Sequence, residues 1–215
     1  PTASSLAYGL GKGIEQKIKP ISIFDDDFEK AVGRRKRIKT KAAEVENAIR
    51  HHIDLNFDED PELYASFAEA LEKILEQFKD NWQRIYEELE KLRQRMKNMP
   101  SPPGDLHRKK QMPFFHIFCK EIYGKTYSED ALSHEEEDQL IDLTREIFEI
   151  VKREIQLTGF WESIPAKNRL KAEIQKTLLS ARFITLPNMV KNRSHIISRV
   201  VEVAERNTDI IPYAE

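Results

Sequence analysis

The sequence is short of cysteine, glycine and long apolar runs, and each shortage argues against a class of protein. Its 215 residues contain one cysteine, Cys119, so an internal disulfide is excluded and a reducing compartment is favoured. The seven glycines are few for a fold built on tight β-turns. No apolar run approaches the roughly 18 residues of a membrane span, and no signal peptide is recognisable. These absences predict a soluble, cytoplasmic protein with no membrane partner.

An excess of one charge is lacking as well. The net charge of −2 and the pI near 6.4 predict no general attraction to nucleic acid or to an anionic membrane. Any contact with DNA must therefore come from a local patch. Charged residues make up 33% of the chain, which together with the scarce glycine suits long helices with one solvated face. Because no reliable β-alternation is present, the predicted fold class is all-α.

The organisation along the chain follows from its prolines and its apolar periodicity. We expect a linker and short helix over 1–33, a long-helix subdomain over 34–99, a proline-rich hinge over 100–112 and a C-terminal helical bundle over 113–215. The chain begins at Pro1 without an initiator methionine, from which we expect a piece of a longer polypeptide.

The strongest structural signal starts at Asp60 and Pro61, a helix N-cap followed by proline at the first helical position. Apolar residues then recur every three or four positions from Tyr64 to Met96, which places them on one helical face. If this helix runs unbroken to Asn98, it is about 57 Å long. We therefore predict a long amphipathic helical hairpin or rod beside a smaller helical bundle.

The second half is predicted to contain four helices after the prolines of Pro100–Gly104, which cannot continue a helix. Cys119 falls in the first of these helices among aromatic residues, which favours a buried small hydrophobe over a reactive thiol. The second helix opens with a capping box, in which Ser133 is the N-cap and Glu136 reaches back to its amide.

Three patterns resemble chemical motifs, and each has a simpler explanation. Gly9–Gly13 lacks the hydroxyl residue and the strand of a phosphate loop, which favours a flexible linker. His51 and His52 are adjacent on a helix and cannot easily share a metal ion, so packed histidines are favoured. His134–Asp138 lacks the second histidine of a zinc motif, and its acids suit a helix N-terminus. We therefore expect no catalytic residue, no metal site and no cofactor in this chain.

A basic stretch is the one candidate site, because it places six cations in eight residues at the start of a helix. Cations there oppose the helix dipole, which favours a negatively charged partner such as a duplex phosphate backbone. No aromatic residues interleave the stretch, so stacking on a single strand is not expected. The alternative is a solvated face, aided by the nearby acids Glu44 and Glu46. The six cations are Arg34, Arg35, Lys36, Arg37, Lys39 and Lys41.

Several segments carry a family resemblance. Lys39–Asp54 (KTKAAEVENAIRHHID) and Asp58–Tyr64 (DEDPELY) resemble the segment after the motor domains of type I restriction enzyme R subunits. Leu143–Phe148 (LTREIF) and Gly159–Glu162 (GFWE) are similar to the C-terminal helical region of the same family. With the terminal stretch through Asn207, the resemblance extends over 39–209.

The resemblance implies a larger subunit, with a nuclease domain and two motor domains ahead of this helical part. The parent would use ATP and Mg²⁺ to pull DNA past a bound methyltransferase and cut it at a distance. The family's nuclease and ATP-binding residues match no position here. The implied partners are the methyltransferase (modification) and specificity subunits, with double-stranded DNA as a further candidate.

Two other functions remain open from the residues alone. One is a stand-alone helical DNA-binding protein that uses Arg34–Lys41. The other is a coiled-coil adaptor that dimerises through Pro61–Asn98.

Overall fold

In the computed structural model, which describes residues 22–127 and 129–211, the chain folds into helices, and no strand occurs among these residues. The all-α prediction is confirmed. None of these helices is long and apolar enough to cross a membrane. The helices are α1 (Asp26–Gly33), α2 (Ile38–Asn56), α3 (Pro61–Gln77), α4 (Trp82–Lys97), α5 (Met112–Tyr123), α6 (His134–Ile155), α7 (Ile164–Leu178) and α8 (Met189–Arg206), with a 3-10 turn over Pro103–Asp105.

Helices α1 to α4 share one hydrophobic core and form what we call the N-lobe (residues 22–99). The apolar face of α2 is buried in this core, where α2 packs mainly against α4. Short connections join α2 to α3 and α3 to α4, and the three helices run up, down and up. The buried residues of these three helices are Ala42, Val45, Ile49, Ile53, Phe67, Leu71, Ile85, Leu89, Leu92 and Met96.

The unbroken helix considered over Pro61–Asn98 is not formed. Helix α3 ends at Gln77, and Phe78 leaves the helical region with φ −116° and ψ 18°. The side chain of Asn81 then accepts a hydrogen bond from the backbone N–H of Arg84 and starts α4. The periodicity runs through the break because both helices turn their apolar faces to the same core.

Helices α5 to α8 and the 3-10 turn form a second core, which we call the C-lobe (residues 100–127 and 129–211). The four helices predicted for this part are confirmed, and α5 lies at its centre with contacts to α3, α6 and α8. Cys119 on α5 is fully buried, and this burial raises the pKa of its thiol to about 12. The cysteine is therefore a packed residue, as the sequence predicts.

Two predicted helix starts are confirmed. Asp60 accepts a hydrogen bond from the backbone N–H of Leu63, with Pro61 in the first turn of α3. Ser133 and Glu136 form the reciprocal capping box at the start of α6. Both signals are local in the sequence, so no long-range packing is needed to form them.

The proline-rich segment between the lobes is held by contacts with α6. Gly104 adopts φ +54°, and a Cβ built there would lie 2.8 Å from Cδ1 of Ile141. The carbonyl of Gly104 accepts a hydrogen bond from Arg145. Arg108 donates a 2.8 Å hydrogen bond to the carbonyl of Pro100. The segment predicted as a hinge thus has a defined path across the C-lobe surface.

We expect Gly104→Ala to lower the free energy of unfolding by about 3 kcal/mol. Alanine loses roughly 1–2 kcal/mol in the left-handed region, and forcing its methyl group against Ile141 adds an overpacking cost of about 1–3 kcal/mol. Urea denaturation at neutral pH measures the change.

Two further glycines provide matched controls. Gly124 also has a positive φ, of +67°, but a Cβ there meets nothing within 4 Å, so Gly124→Ala should cost only about 1 kcal/mol. Gly33→Ala, with neither a positive φ nor a close neighbour, should cost nothing. Equal losses at positions 104 and 124 would contradict the close contact with Ile141.

Candidate functional site

The six predicted cations lie together at one end of the N-lobe. Arg34, Arg35, Lys36 and Arg37 occupy the connection between α1 and α2, and Lys39 and Lys41 lie in the first turns of α2. All are exposed except Lys41, which is half-buried. The first turn of α2 contains no acidic residue, so its positive end is not compensated by the helix itself.

Most of this charge is not neutralised by the described part of the chain. Arg35 forms an ion pair of 2.7 Å with Glu44, which supports part of the solvated-face alternative. The other five cations form no ion pair with any described residue. Their charge is available to a partner, and the sequence prediction of a local positive patch is consistent with this arrangement.

Two aromatic rings from α4 lie against the cations of α2. The Lys39 ammonium lies 4.8 Å from the ring centroid of Trp82, and the Lys41 ammonium lies 6.0 Å from that of Tyr86. Both rings are half-buried. No aromatic residue interleaves the basic stretch along the sequence, but the packing of α4 on α2 places two rings beside its lysines.

These pairs also show that α2 and α4 run in the same direction. Lys39 and Trp82 are each near the start of their helix, so the positive ends of both helices lie at the same end of the N-lobe. The first turn of α4 contains no acidic residue either. We call this surface the basic–aromatic face, formed by Arg34, Lys36, Arg37, Lys39, Lys41, Trp82 and Tyr86.

A second concentration of charge lies where the two lobes meet, at the start of α3. A carboxylate oxygen of Asp60 lies 2.6 Å from Nδ1 of His116 on α5, while its other oxygen caps α3. Both side chains are buried. A single aspartate thus starts a helix of the N-lobe and binds a helix of the C-lobe.

Glu62, two residues after Asp60 in the first turn of α3, is the most heavily bonded acid of this region. Its carboxylate accepts hydrogen bonds of 2.6 and 3.0 Å from Arg199 on α8 and lies 3.1 Å from the Lys120 ammonium on α5. The Glu62 side chain is only 8% exposed. Burial alone would raise the pKa of this carboxyl, but the bonds from Arg199 and Lys120 outweigh burial and leave its pKa below the ordinary value.

More exposed contacts surround these buried ones. Arg206 lies 2.8 Å from Asp58, and Lys109 lies 3.2 Å from Glu59. The amide of Asn207, which is buried, donates to the backbone carbonyls of Asp58 and Glu59. We call this set the lobe junction; its residues are Asp58, Glu59, Asp60, Glu62, Lys109, His116, Lys120, Arg199, Arg206 and Asn207.

Sequence reasoning identifies Asp60 only as a helix cap and misses the rest of the lobe junction. The partners are far apart along the chain: Arg199 lies 137 residues from Glu62, and His116 lies 56 residues from Asp60. The one sequence signal for the lobe junction is the concentration of acidic residues over Asp58–Glu62. It contains more acids than the start of a helix requires.

The other candidate motifs do not form sites within the part of the chain that the structure describes. His52 packs edge-on against Phe24 and Tyr64, with ring centroids 5.0 and 5.9 Å away, and its burial lowers its pKa. The prediction of a packed histidine is confirmed for this residue. No group of three possible metal ligands occurs among these residues. Gly9–Gly13 lies outside them.

An open cleft of about 330 Å³ lies between α3, α4 and the connection from α5 to α6. Its charges are balanced: the cations are Lys73, Lys91 and Arg95, and the acids are Glu69, Glu88 and Glu129. Two of these pairs are already joined, Lys91 to Glu88 at 2.9 Å and Arg95 to Glu129 at 3.1 Å. This balance favours no class of small ligand.

Comparison with known protein families, with curated proteins and with solved structures gives no match to this chain. The candidate sites therefore rest on geometry and charge: the basic–aromatic face at one end of the N-lobe, and the lobe junction.

We expect Glu62→Gln to lower the free energy of unfolding by about 3 kcal/mol, because it leaves Arg199 without its buried counter-charge. The matched control is Glu72→Gln, since Glu72 is 63% exposed in its 2.6 Å pair with Arg50. That change should cost less than about 1 kcal/mol. Urea denaturation of both variants measures the difference. A Glu62→Gln cost as small as that of the control would contradict a buried, bonded carboxylate at the lobe junction.

The cost of Glu62→Gln should also depend on pH. The pKa of Glu62 in the folded protein is below its ordinary value of 4.5, so the unfolded chain takes up its proton first as the solution is acidified. The stabilisation by the carboxylate is complete above pH 4.5 and is lost as the pH falls through the folded pKa. The stability difference between wild type and Glu62→Gln should therefore shrink below pH 4.5. A difference that stays constant or grows on acidification would contradict the lowered pKa.

Proposed function

We propose that the chain is the helical docking part of a type I restriction enzyme R subunit, which holds the DNA-translocating motor against the methyltransferase core. The resemblance over 39–209 supports the identity of the complex. The observation that carries the docking role is the lobe junction, where the acids at the start of α3 bind α5 and α8.

A docking part between a motor and its anchor transmits force. Its two ends must therefore keep a fixed position and orientation relative to each other. A flexible linker between the lobes would stretch before the load reached the anchor. In this chain the proline-rich segment is held on α6, and the buried bonds of Asp60 and Glu62 join the lobes a second time. Separating the lobes would expose charges that are now paired, which opposes their movement apart.

The proposal assigns no catalytic step to the described residues. The acids at the start of α6 are exposed or half-buried, and the hydrogen bond from Lys125 holds the pKa of the Glu136 carboxyl below its ordinary value, which does not suit acid–base work near neutral pH. In this proposal ATP and Mg²⁺ act in the motor domains of the parent subunit. The chain contributes attachment and orientation.

A second candidate is a DNA-binding helical protein that acts through the basic–aromatic face, and the five cations that form no ion pair with a described residue favour it. The arrangement of α3 and α4 does not favour the coiled-coil adaptor. Its dimer requires a free apolar stripe on one unbroken helix, whereas Phe67, Leu71, Ile85 and Leu89 are buried inside the N-lobe on two separate helices.

The first test is a pull-down of the chain with the methyltransferase and specificity subunits of its complex, with and without DNA, at low and high salt. We expect retention without DNA that persists at high salt, because a specific protein interface depends mainly on buried contacts. The variant Lys36→Glu/Arg37→Glu is the control. It reverses exposed charge away from the lobe junction and should be retained like the wild type.

Two other results would change the assignment. Retention that requires DNA, and that is lost at high salt and in the control variant, would favour the DNA-binding candidate. No retention under any condition would overturn the docking role.

A further inference from the structure

We infer that the basic–aromatic face binds single-stranded DNA, with unpaired bases stacked on Trp82 and Tyr86 and phosphates bound by Lys39, Lys41 and the neighbouring arginines. The inference rests on the proposed function only for the presence of DNA, and it does not depend on docking to another subunit. It differs from the sequence expectation of duplex contact because α4 adds two aromatic rings to the cations.

The cations supply the attraction to the strand. Five of them have no ion pair with a described residue, and they lie at the adjoining positive ends of α2 and α4. A nucleic acid backbone brings one phosphate charge with each nucleotide, and each phosphate bound by a cation releases a counterion. The face is therefore suited to a polyanion, while the net charge of −2 keeps the rest of the chain unattractive to it.

The two rings supply the preference for unpaired bases. Trp82 and Tyr86 are four residues apart on α4 and therefore neighbours on one helical face, with roughly 5–6 Å between their Cβ atoms. Stacked bases follow one another at about 3.4 Å. A strand that follows this face must therefore be extended, with one base at each ring. A duplex cannot meet this requirement, because its bases are paired and stacked within the helix.

The lysines connect the two parts of the site. In the free protein the Lys39 ammonium lies over Trp82 and the Lys41 ammonium lies near Tyr86. A cation–π contact at an exposed site is weak, whereas a phosphate offers a full negative charge. An arriving strand can draw each lysine from its ring, which uncovers an aromatic face beside the phosphate it has just bound. Phosphate binding and base stacking are thereby coupled at adjacent positions.

The simpler alternative is that the rings only complete the N-lobe core. Trp82 and Tyr86 do pack against that core, but both remain half-exposed, unlike Ile85 and Leu89 on the same helix. This alternative predicts that a base never reaches the rings. The fluorescence of Trp82 distinguishes the two.

The test uses the full chain with Trp161→Phe, which leaves Trp82 as the sole tryptophan, since the sequence contains two. Trp161 lies against the C-lobe core, remote in sequence from the face. This protein is titrated with oligothymidine and with a duplex of equal length at two salt concentrations. We expect the single strand to quench Trp82 and to bind about tenfold more tightly than the duplex, with affinity falling as salt rises.

Substitutions then separate stacking from charge. Trp82→Leu and Tyr86→Leu keep apolar packing but remove a stacking surface, and each should weaken single-strand binding about tenfold without changing duplex binding. Lys39→Gln should weaken both single-strand binding and duplex binding. Binding by these variants is measured through fluorescence anisotropy of labelled DNA, and their thermal unfolding is checked beforehand. The quenching experiment leaves the face itself unaltered, so it stands even if a leucine variant does not fold.

Two outcomes overturn the inference, and they bear differently on the proposed function. Duplex binding as tight as single-strand binding, without quenching of Trp82, overturns the stacking role and leaves a duplex contact. No binding of either DNA removes the face as a DNA site altogether. In both cases the pull-down still decides the docking role, because it measures retention in the absence of DNA.

Discussion

The structure depends on the carboxylates at the start of α3, above all that of Glu62. This group lies between two helices of the C-lobe and accepts from Arg199 while it contacts Lys120. A buried ion pair of this kind adds little stability compared with a well-packed apolar cluster, but it is costly to break once formed. Its contribution is therefore to orientation. Asp60 and Glu62 have partners on α5 and α8, so a small rotation of one lobe against the other would leave charges unpaired.

Both candidate sites include residues of the same three-helix unit, and their positions follow from its up–down–up arrangement. Because α2 and α4 begin at one end, the basic–aromatic face is formed there. The connection from α2 to α3 lies at the opposite end, and it carries Asp58, Glu59 and Asp60 of the lobe junction. The length of α2 thus separates the positive surface from the attachment to the C-lobe. A strand held at the face and a partner held through the C-lobe would not compete for the same surface.

Local features of the fold were predictable from the sequence, and features made by distant contacts were not. The all-α class, the Asp60 cap and the capping box at Ser133 depend on residues a few positions apart. The break at Phe78–Asn81 was missed because a chain that reverses onto the same core keeps its apolar spacing. The basic stretch was visible in the sequence, but Trp82 reaches it only through the packing of α4 on α2. The partners of Glu62 cannot be predicted from its neighbours in the sequence, since Arg199 is 137 residues away.

That long separation has a consequence for synthesis of the chain. The N-lobe core is complete once Met99 has left the ribosome, because its last buried member is Met96 and Met99 packs against it. The lobe junction must wait for Arg199 and Asn207 on and after α8, close to the last described residues. Until they emerge, Asp60 and Glu62 remain hydrated at the end of an already folded helical unit. The N-lobe can therefore fold first during translation, and the junction closes only after α8 of the second lobe has been made.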